Sequence, residues 1–270
     1  MEQNITIIGG GNMGQAIARG LLSSNVIAPE RLTIANPSLD GLEELRTRGV
    51  VLETDNRKAI GNAGVVIVAV KPKVVPDVLK EIANALQKNA LLISVSAGIS
   101  VAALEEMTSK DRGIVRVMPN VCATIGESMS VWVKNASAAS GADTVREVLR
   151  AIGKEIELGS DEQIDNATAI SGSGPAYVFH LAEVMIAKAQ KLGLSETMAD
   201  ELVKQTFLGS ALVLAEGERS PKELRDSVTS PGGTTEAALK EFDRLGVARA
   251  LEAGIEAAAK RAKALGQSKE

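Results

Sequence analysis

The sequence is poor in the residues that build disulfide frameworks, metal sites and nucleic-acid surfaces. Its 270 residues include one cysteine (Cys122), one histidine (His180) and only 2% aromatic residues. A single cysteine excludes a disulfide framework and is typical of a reducing cytoplasm, and a single histidine leaves no multi-histidine metal site. The net charge of −4 and the few aromatic rings exclude a basic, base-stacking surface. We therefore expect no metal and no nucleic-acid partner.

Long apolar runs are also missing. None approaches the roughly 20 residues that a membrane-spanning helix needs. The first predicted strand begins within a few residues of Met1, so we expect no signal peptide and a cytoplasmic protein. A chain of 270 residues exceeds one typical domain and suggests two, each able to bury a core.

The chain does have a glycine-rich turn almost at its start. The β-branched run at residues 4–8 predicts a buried strand, and apolar residues at helical spacing follow it. Gly9, Gly11 and Gly14 between them match G-x-G-x-x-G, in which the glycines allow a tight turn, a close approach to a pyrophosphate and close helix packing. The alternative is a purely structural turn. We predict a dinucleotide site whose residues here are Gly9, Gly11, Asn12, Met13 and Gly14.

Strands and helices alternate through the first half of the chain. Five further strands are predicted, at residues 31–35, 64–70, 90–95, 113–117 and 129–133. This alternation predicts a doubly wound parallel sheet in an α/β Rossmann-like domain over residues 1–159, with ligands at the carboxyl ends of the strands. After residue 159 the apolar residues recur only at helical spacing, so we predict an all-α domain over residues 160–270.

The turn after the second predicted strand bears on the choice of cofactor. NAD enzymes carry an acid there, whereas this chain has Asn36 and Ser38, with no acid before Asp40. An amide and a hydroxyl can donate to a 2′-phosphate that a carboxylate would repel, and Asn56 in the next connection could complete the site. We predict NADP, with NAD as the alternative. The simpler interpretation is an Asx-Pro turn that caps the next helix.

Other polar residues follow the later strands. Lys71 ends the third strong strand and is either a solvated loop charge or a ligand contact, of which we favour the contact. Ser96 and Asn120 follow two later strands and are predicted to line a nicotinamide pocket. Cys122 lies just beyond, and with no histidine near it in sequence we interpret it as a packing residue.

A second glycine-rich segment, residues 230–235, opens a predicted helix. Its two glycines leave backbone N–H groups exposed, and the hydroxyls of Ser230, Thr234 and Thr235 flank them. Such a nest binds carboxylate or phosphate. The alternative is an elaborate N-cap, although one hydroxyl would serve for that.

Two predicted helices are apolar on more than one face, at residues 179–189 and 207–215. A helix that is apolar around most of its circumference must be buried. We expect a partner subunit to cover these helices, and the competing view is that they pack against the first domain.

Four segments together resemble one family. They are residues 9–14, 69–72, 171–177 (Ser-Gly-Ser-Gly-Pro-Ala-Tyr) and 226–235 (Asp-Ser-Val-Thr-Ser-Pro-Gly-Gly-Thr-Thr). Over nearly its whole length the chain resembles the pyrroline-5-carboxylate reductases, which transfer hydride from NAD(P)H to a cyclic imine and form L-proline in the last step of proline biosynthesis. The resemblance implies an interlocked homodimer through the C-terminal helices, with a higher assembly in some members.

The resemblance also assigns residues. It implies that the substrate pyrroline-5-carboxylate is bound by Ser230, the N–H groups of Gly233 and Thr234, and the Thr235 hydroxyl. The implied cofactor contacts are Ser38, Asn56, Ala69, Val70, Lys71 and Pro72, to which our own interpretation adds Asn36. We predict catalytic roles for Thr235, Ser230 and Lys71.

Two rival functions remain at this point. A β-hydroxyacid dehydrogenase needs a lysine in a G-x-x-G-x-G-x-x-x-K helix of the second domain, and residues 171–179 contain none. A non-catalytic NADP sensor would keep residues 9–14 but would have no reason to keep residues 230–235.

Overall fold

The computed structural model describes residues 1–267. The strands are β1 (Asn4–Ile8), β2 (Leu32–Ala35), β3 (Val51–Glu53), β4 (Ala63–Val68), β5 (Leu91–Ser94), β6 (Ile114–Met118), β7 (Ser128–Lys134) and β8 (Gly153–Glu157). The first seven helices are α1 (Asn12–Ser23), α2 (Glu43–Thr47), α3 (Asn56–Ala59), α4 (Val75–Ile82), α5 (Val101–Met107), α6 (Ala142–Arg150) and α7 (Asp161–Ala167). A π turn (Thr168–Gly172) follows, and then α8 (Gly174–Lys191), α9 (Glu196–Ala215), α10 (Pro221–Ser227), α11 (Thr234–Leu245) and α12 (Val247–Gln267).

The strands form one sheet in the order β3-β2-β1-β4-β5-β6-β7-β8. Strands β1 to β6 run parallel, and the strand order reverses between β1 and β4. The predicted doubly wound parallel sheet is confirmed for β1 to β6. The far edge departs from it, because β7 runs antiparallel to β6 and β8 runs parallel to β7. Only residues 119–127 separate β6 from β7, fewer than the roughly dozen that a parallel crossover requires.

Apolar side chains alternate between the two faces of the sheet and build a core on each. Ile5 and Ile7 of β1 lie in one buried cluster with Leu21 of α1, whereas Ile8 lies in the other with Leu79 of α4. The two-residue period of a strand produces this division, and helices cover both faces. Each fully buried side chain of this size contributes about 1.5–3 kcal/mol. The predicted α/β Rossmann-like architecture is confirmed.

The described chain divides into two compact units. One consists of residues 1–173 together with the end of α12 from residue 258, and the other of residues 174–257. Helix α7 groups with the sheet because buried Arg116 of β6 pairs with Asp161 at 2.7 Å and with Asp165 at 2.6 Å. The sequence pattern changes near residue 160, ahead of this division, and the boundary at 159/160 stays a prediction.

The second unit is entirely helical. Ser195 caps α9 by accepting the Met198 N–H, and Ser220 forms a capping box with Glu223 at the start of α10. Helices α8 and α9 nevertheless leave large apolar side chains exposed, namely Val178, Phe179, Leu181, Val184, Met185, Met198, Leu202, Leu208, Leu212, Val213 and Leu214. Across residues 1–267, no helix combines the length and the apolarity needed to cross a bilayer.

Candidate active site

The loops after β1 and β4 touch at the point where the strand order reverses. Gly9 has φ +109°, and a Cβ there would lie 2.7 Å from the Ala69 carbonyl oxygen. The Ala69 N–H donates to the Ile8 carbonyl at 2.8 Å. Glycine is therefore required at residue 9, both for its backbone conformation and for the close approach of the two loops. Ligands of open α/β sheets bind at this place.

The other two glycines of the motif have different surroundings. A Cβ on Gly14 would lie 1.9 Å from the Gly9 carbonyl oxygen, so this glycine permits the contact between α1 and the loop after β1. A Cβ on Gly11 would meet no atom within 4 Å, so no packing within the chain requires glycine there. The open space beside Gly11 fits the close approach of a pyrophosphate.

The first turn of α1 is free of competing negative charge. Gly11 is its N-cap, no side chain caps it, and its first turn contains no acid. Asn12 is exposed and Met13 is half-buried. Uncapped N–H groups and the positive end of the helix dipole attract an anion, so this turn fits the phosphates of a dinucleotide.

The loop after β2 is tied together by side chains that the sequence analysis assigned to the cofactor. The Gly10 N–H donates to Asn36 Oδ1 at 3.0 Å, and Asn36 Nδ2 donates to the Ser38 carbonyl at 2.6 Å. The Ser38 hydroxyl donates to Asp40 Oδ2 at 2.7 Å. Asn36 thus has a structural role, and the sequence analysis missed the contact of Asp40. Serine and aspartate two residues apart in a turn are the pattern that could have indicated it.

Asn56 at the start of α3 is likewise held within the fold. Its Nδ2 donates to Glu81 Oε2 at 2.8 Å, and the neighbouring Arg57 Nε donates to the Glu81 carbonyl at 3.0 Å. Each side chain keeps further N–H donors, so these bonds hold the loop in place and still leave donors for a phosphate. The assignment of Asn56 to the cofactor stays a prediction.

Behind the loop after β4, the buried Ser96 hydroxyl donates to the Val70 carbonyl at 2.8 Å. This bond fixes the backbone next to Lys71, which is exposed and begins a single 3₁₀ turn at Pro72–Val74. Ser96 therefore supports this loop, and its predicted place in a nicotinamide pocket stays a prediction.

Asn120, which we predicted to line the same pocket, is only 9% exposed. Its Nδ2 donates to the Ser171 carbonyl at 2.9 Å, and its Oδ1 accepts the Cys122 N–H at 3.0 Å. Both ends of the amide are therefore used inside the fold. Cys122 itself is a half-buried free cysteine.

In the helical unit, the two glycines of the loop at residues 230–235 are required for different structural reasons. Gly232 has φ +72°, and a Cβ on Gly233 would lie 2.5 Å from Ser230 Oγ. The Gly233 N–H donates to the Ser230 carbonyl at 3.0 Å, which closes the turn. Gly233 is also the N-cap of α11, and no side chain caps this helix. Thr235 is therefore not the N-cap, contrary to the alternative interpretation.

The same loop already holds a carboxylate from the chain. The Gly232 N–H donates to Glu236 Oε2 at 2.9 Å, and Lys240 lies 3.1 Å from Glu236 Oε1. The backbone bond from Gly232, and after it the Lys240 ammonium, hold the pKa of Glu236 below its usual value. A loop whose backbone N–H stabilises an ionised carboxylate is suited to a carboxylate-bearing substrate. The sequence analysis missed Glu236.

A mostly parallel sheet with an open glycine turn at its switch point is typical of dinucleotide-binding proteins, which include the nicotinamide-dependent oxidoreductases. A family model described as pyrroline-5-carboxylate reductase dimerisation matches residues 161–265, and one described as coenzyme F420-dependent NADP oxidoreductase matches residues 4–98. The pyrroline-5-carboxylate reductase of Corynebacterium melassecola is 38% identical over 268 residues, which cover 97% of this chain and 98% of that protein. The chain belongs to the pyrroline-5-carboxylate reductase family.

Solved structures of similar proteins cover the chain almost completely. A pyrroline-5-carboxylate reductase from Coxiella burnetii is 36% identical, with a TM-score of 0.92 over 99% of this chain and 100% of its own. The Plasmodium falciparum enzyme, solved with NADP bound, is 31% identical, with a TM-score of 0.89 over 98% of this chain and 99% of its own. The predicted family, activity, enzyme class and use of NADP are confirmed.

Proposed function

We propose that the chain reduces pyrroline-5-carboxylate to L-proline with NADPH, binding the cofactor at the turn of residues 9–14 and the substrate carboxylate at the loop of residues 230–235. The open space beside Gly11 carries the first assignment, because glycine there serves no packing purpose within the chain. The carboxylate already held by Gly232 supports the second.

The cofactor would be held mainly by backbone groups. The uncapped N–H groups at the start of α1, at Asn12 and Met13, would bind the pyrophosphate, and the turn at Ala69–Pro72 would border it across the switch point. Lys71, exposed at the end of β4, would supply a positive charge toward the phosphates or the reacting ring. The cofactor, when bound, supplies the hydride.

A 2′-phosphate would meet Ser38 and Asp40 together. The Ser38 hydroxyl now donates to the Asp40 carboxylate, and it would have to turn away to donate to a phosphate. Asp40 would then lie next to a group of the same charge. We therefore propose that Ser38 favours NADPH and that Asp40 limits this preference, while Asn36 holds the loop in place.

The substrate carboxylate would be bound at the start of α11. The Gly233 N–H is used to close the turn, so the donors we propose are the N–H groups of Thr234 and Thr235 with the Ser230 and Thr235 hydroxyls. Gly233 would contribute by permitting the close packing of Ser230 on the loop. Four donors converging on one carboxylate would orient the ring for reaction.

The proposed reaction requires little acid–base catalysis by the protein. A cyclic imine can be protonated by water near neutral pH, and the protonated C=N carbon then accepts hydride to give the amine. The chain must orient the imine carbon and hold the carboxylate, which are the proposed roles of Thr235 and Ser230.

We propose that the chain forms a homodimer through the exposed apolar faces of α8 and α9. The dimerisation model that matches residues 161–265 supports this surface, and it supports residues 160–270 as the dimerisation and substrate region. A larger assembly would be built from such dimers.

Cys122 is a free cysteine, and on this ground we also propose a cytoplasmic location.

The test is NADPH oxidation by the purified protein, followed by absorbance, with pyrroline-5-carboxylate as substrate. The comparison reaction supplies NADP with a β-hydroxyacid and measures NADPH formation. Rapid oxidation in the first assay and none in the second is expected. Activity with the β-hydroxyacid alone would overturn the proposal.

A further inference from the structure

The segment at residues 171–177 contains a proline that leaves one backbone group without its usual partner. In an α-helix the N–H of residue 175 would donate to the Ser171 carbonyl, but Pro175 has no N–H. The Ser171 carbonyl accepts instead from Asn120 Nδ2 at 2.9 Å. The second end of the Asn120 amide accepts the Cys122 N–H, so the side chain is fixed at both ends.

The chain around Ser171 is a π turn, Thr168–Gly172, in which the Ser173 N–H donates to the Thr168 carbonyl five residues back at 2.8 Å. A Cβ on Gly172 would lie 2.9 Å from Met118 Cε, so the turn packs directly on the last residue of β6. Single π turns inside helices occur frequently at functional sites. This turn lies at the carboxyl end of β6.

The position of β6 connects this turn to the cofactor. A dinucleotide spans the switch point, with one half on each side of it. The adenosine half belongs to β1–β3, where the loop of Asn36 and Ser38 lies, so the nicotinamide half belongs to β4–β6. The carboxyl end of β6 is therefore on the side of the reacting ring.

We infer that Asn120 is a positioning residue: its amide replaces the donor that Pro175 lacks, and this bond holds the π turn against the end of β6 beside the nicotinamide half of the site. Asn120 itself contacts neither cofactor nor substrate in this role. The inference rests on the proposed function for its kinetic consequence. The bond from Asn120 to the carbonyl of Ser171, four residues before Pro175, stands on the geometry alone.

The test is a double-mutant cycle of Asn120→Ala and Pro175→Ala. Asn120→Ala leaves the Ser171 carbonyl without its donor and is expected to lower kcat about tenfold, with KM for NADPH changed by less than about twofold. Pro175→Ala restores an N–H and is expected to leave kcat near that of the wild type. The double variant should recover most of the lost kcat, because the new N–H can donate to Ser171.

Asn135→Ala is the matched structural control. The Asn135 side chain makes bonds of the same kind at the opposite end of β6, accepting the Ile114 N–H at 3.0 Å and donating to the Arg112 carbonyl at 2.8 Å. This variant should lower Tm and leave kcat unchanged. An Asn120→Ala variant that behaves in the same way would show a purely structural role and overturn the inference.

Strictly additive effects of the two substitutions on kcat would also overturn it. Should Asn120→Ala fail to fold, Asn120→Asp keeps the acceptor for Cys122 and places a carboxylate oxygen where the donor to Ser171 was, so full kcat in that variant would equally refute the role. The same cycle measured in Tm needs no substrate. It therefore tests the coupling between Asn120 and Pro175 independently of the reductase activity. A protein that shows this coupling in Tm but does not reduce pyrroline-5-carboxylate would contradict the proposed function and not the coupling.

Discussion

Replacing Gly11 with alanine separates cofactor binding from folding. The backbone at Gly11 has φ −75° and ψ −172°, which alanine adopts without strain, and its Cβ would meet no atom within 4 Å. Alanine is a poorer N-cap than glycine, but it loses less backbone entropy on folding. These opposing effects are each up to about 1 kcal/mol, so the free energy of unfolding should change by less than that.

The cofactor should respond much more strongly. The added methyl group occupies the space through which the pyrophosphate would approach the N–H groups of α1. Loss of one hydrogen bond to a charged partner costs about 1.5–3 kcal/mol. The Kd for NADPH should therefore rise about ten- to a hundredfold, measured by isothermal titration calorimetry, with the melting temperature recorded on the same preparation.

Two other glycines provide matched controls. Gly61→Ala makes the same chemical change where the Cβ lies 3.4 Å from the Lys58 carbonyl, and it should alter neither Tm nor Kd appreciably. Gly14→Ala places a Cβ 1.9 Å from the Gly9 carbonyl and should lower Tm sharply. A folded Gly11→Ala protein that binds NADPH as tightly as the wild type would refute this reasoning.

Three further outcomes are expected. Asp40→Asn should raise the affinity for NADPH relative to NADH by about two- to fivefold, because it removes an exposed like charge near the 2′-phosphate. Ser38→Asp should weaken NADPH binding and leave NADH binding unchanged. Equal changes for both cofactors in binding titrations would contradict this interpretation. Thr235→Ala should lower kcat/KM about ten- to a hundredfold in the reductase assay with Tm unchanged, because Gly233 is the N-cap of α11; a fall in Tm alone would contradict it. Phe179→Asp should convert a dimer to a monomer in light scattering, and an unchanged mass would contradict the assigned surface.

Much of the fold follows from the sequence because short runs rich in β-branched and aliphatic residues are distinctive of buried strands. Strands β1, β4 and β5 are such runs and are mostly buried, and the caps at Ser195 and Ser220 are local signals that the structure contains. The edge strand β8 carries charges at Glu155 and Glu157, which pair with side chains of its neighbours, so its sequence has no apolar pattern. Strand β3 has only three residues, too few to show a period.

The local geometry of the candidate site was predictable where the backbone conformation requires a particular residue. It was less predictable where a side chain can hydrogen-bond to several different partners. The glycine motif fixes its own geometry, so the turn at residues 9–14 could be predicted from spacing, and its assignment to the cofactor stays a prediction. Asn36 and Asn56 are amides, which serve a ligand or the fold equally well, and the structure gives both of them partners within the chain. Glu236 lies four residues beyond the glycine that it contacts, a pairing that depends on the shape of the loop.

The reversed direction of β7 and β8 determines where the chain goes next. Strand β8 runs away from the carboxyl edge of β6, so α7 and the π turn after it run back toward that edge. Their contacts follow β6 in order: Asp161 pairs with Arg116, Gly172 packs against Met118, and the Ser171 carbonyl accepts from Asn120. Had β8 run parallel to β6, it would have ended at that edge, and α7 would have carried residues 168–175 down the sheet. Two strands of reversed direction at the margin thus allow the chain to return residues 171–173 to the carboxyl edge of the sheet without a long crossing loop.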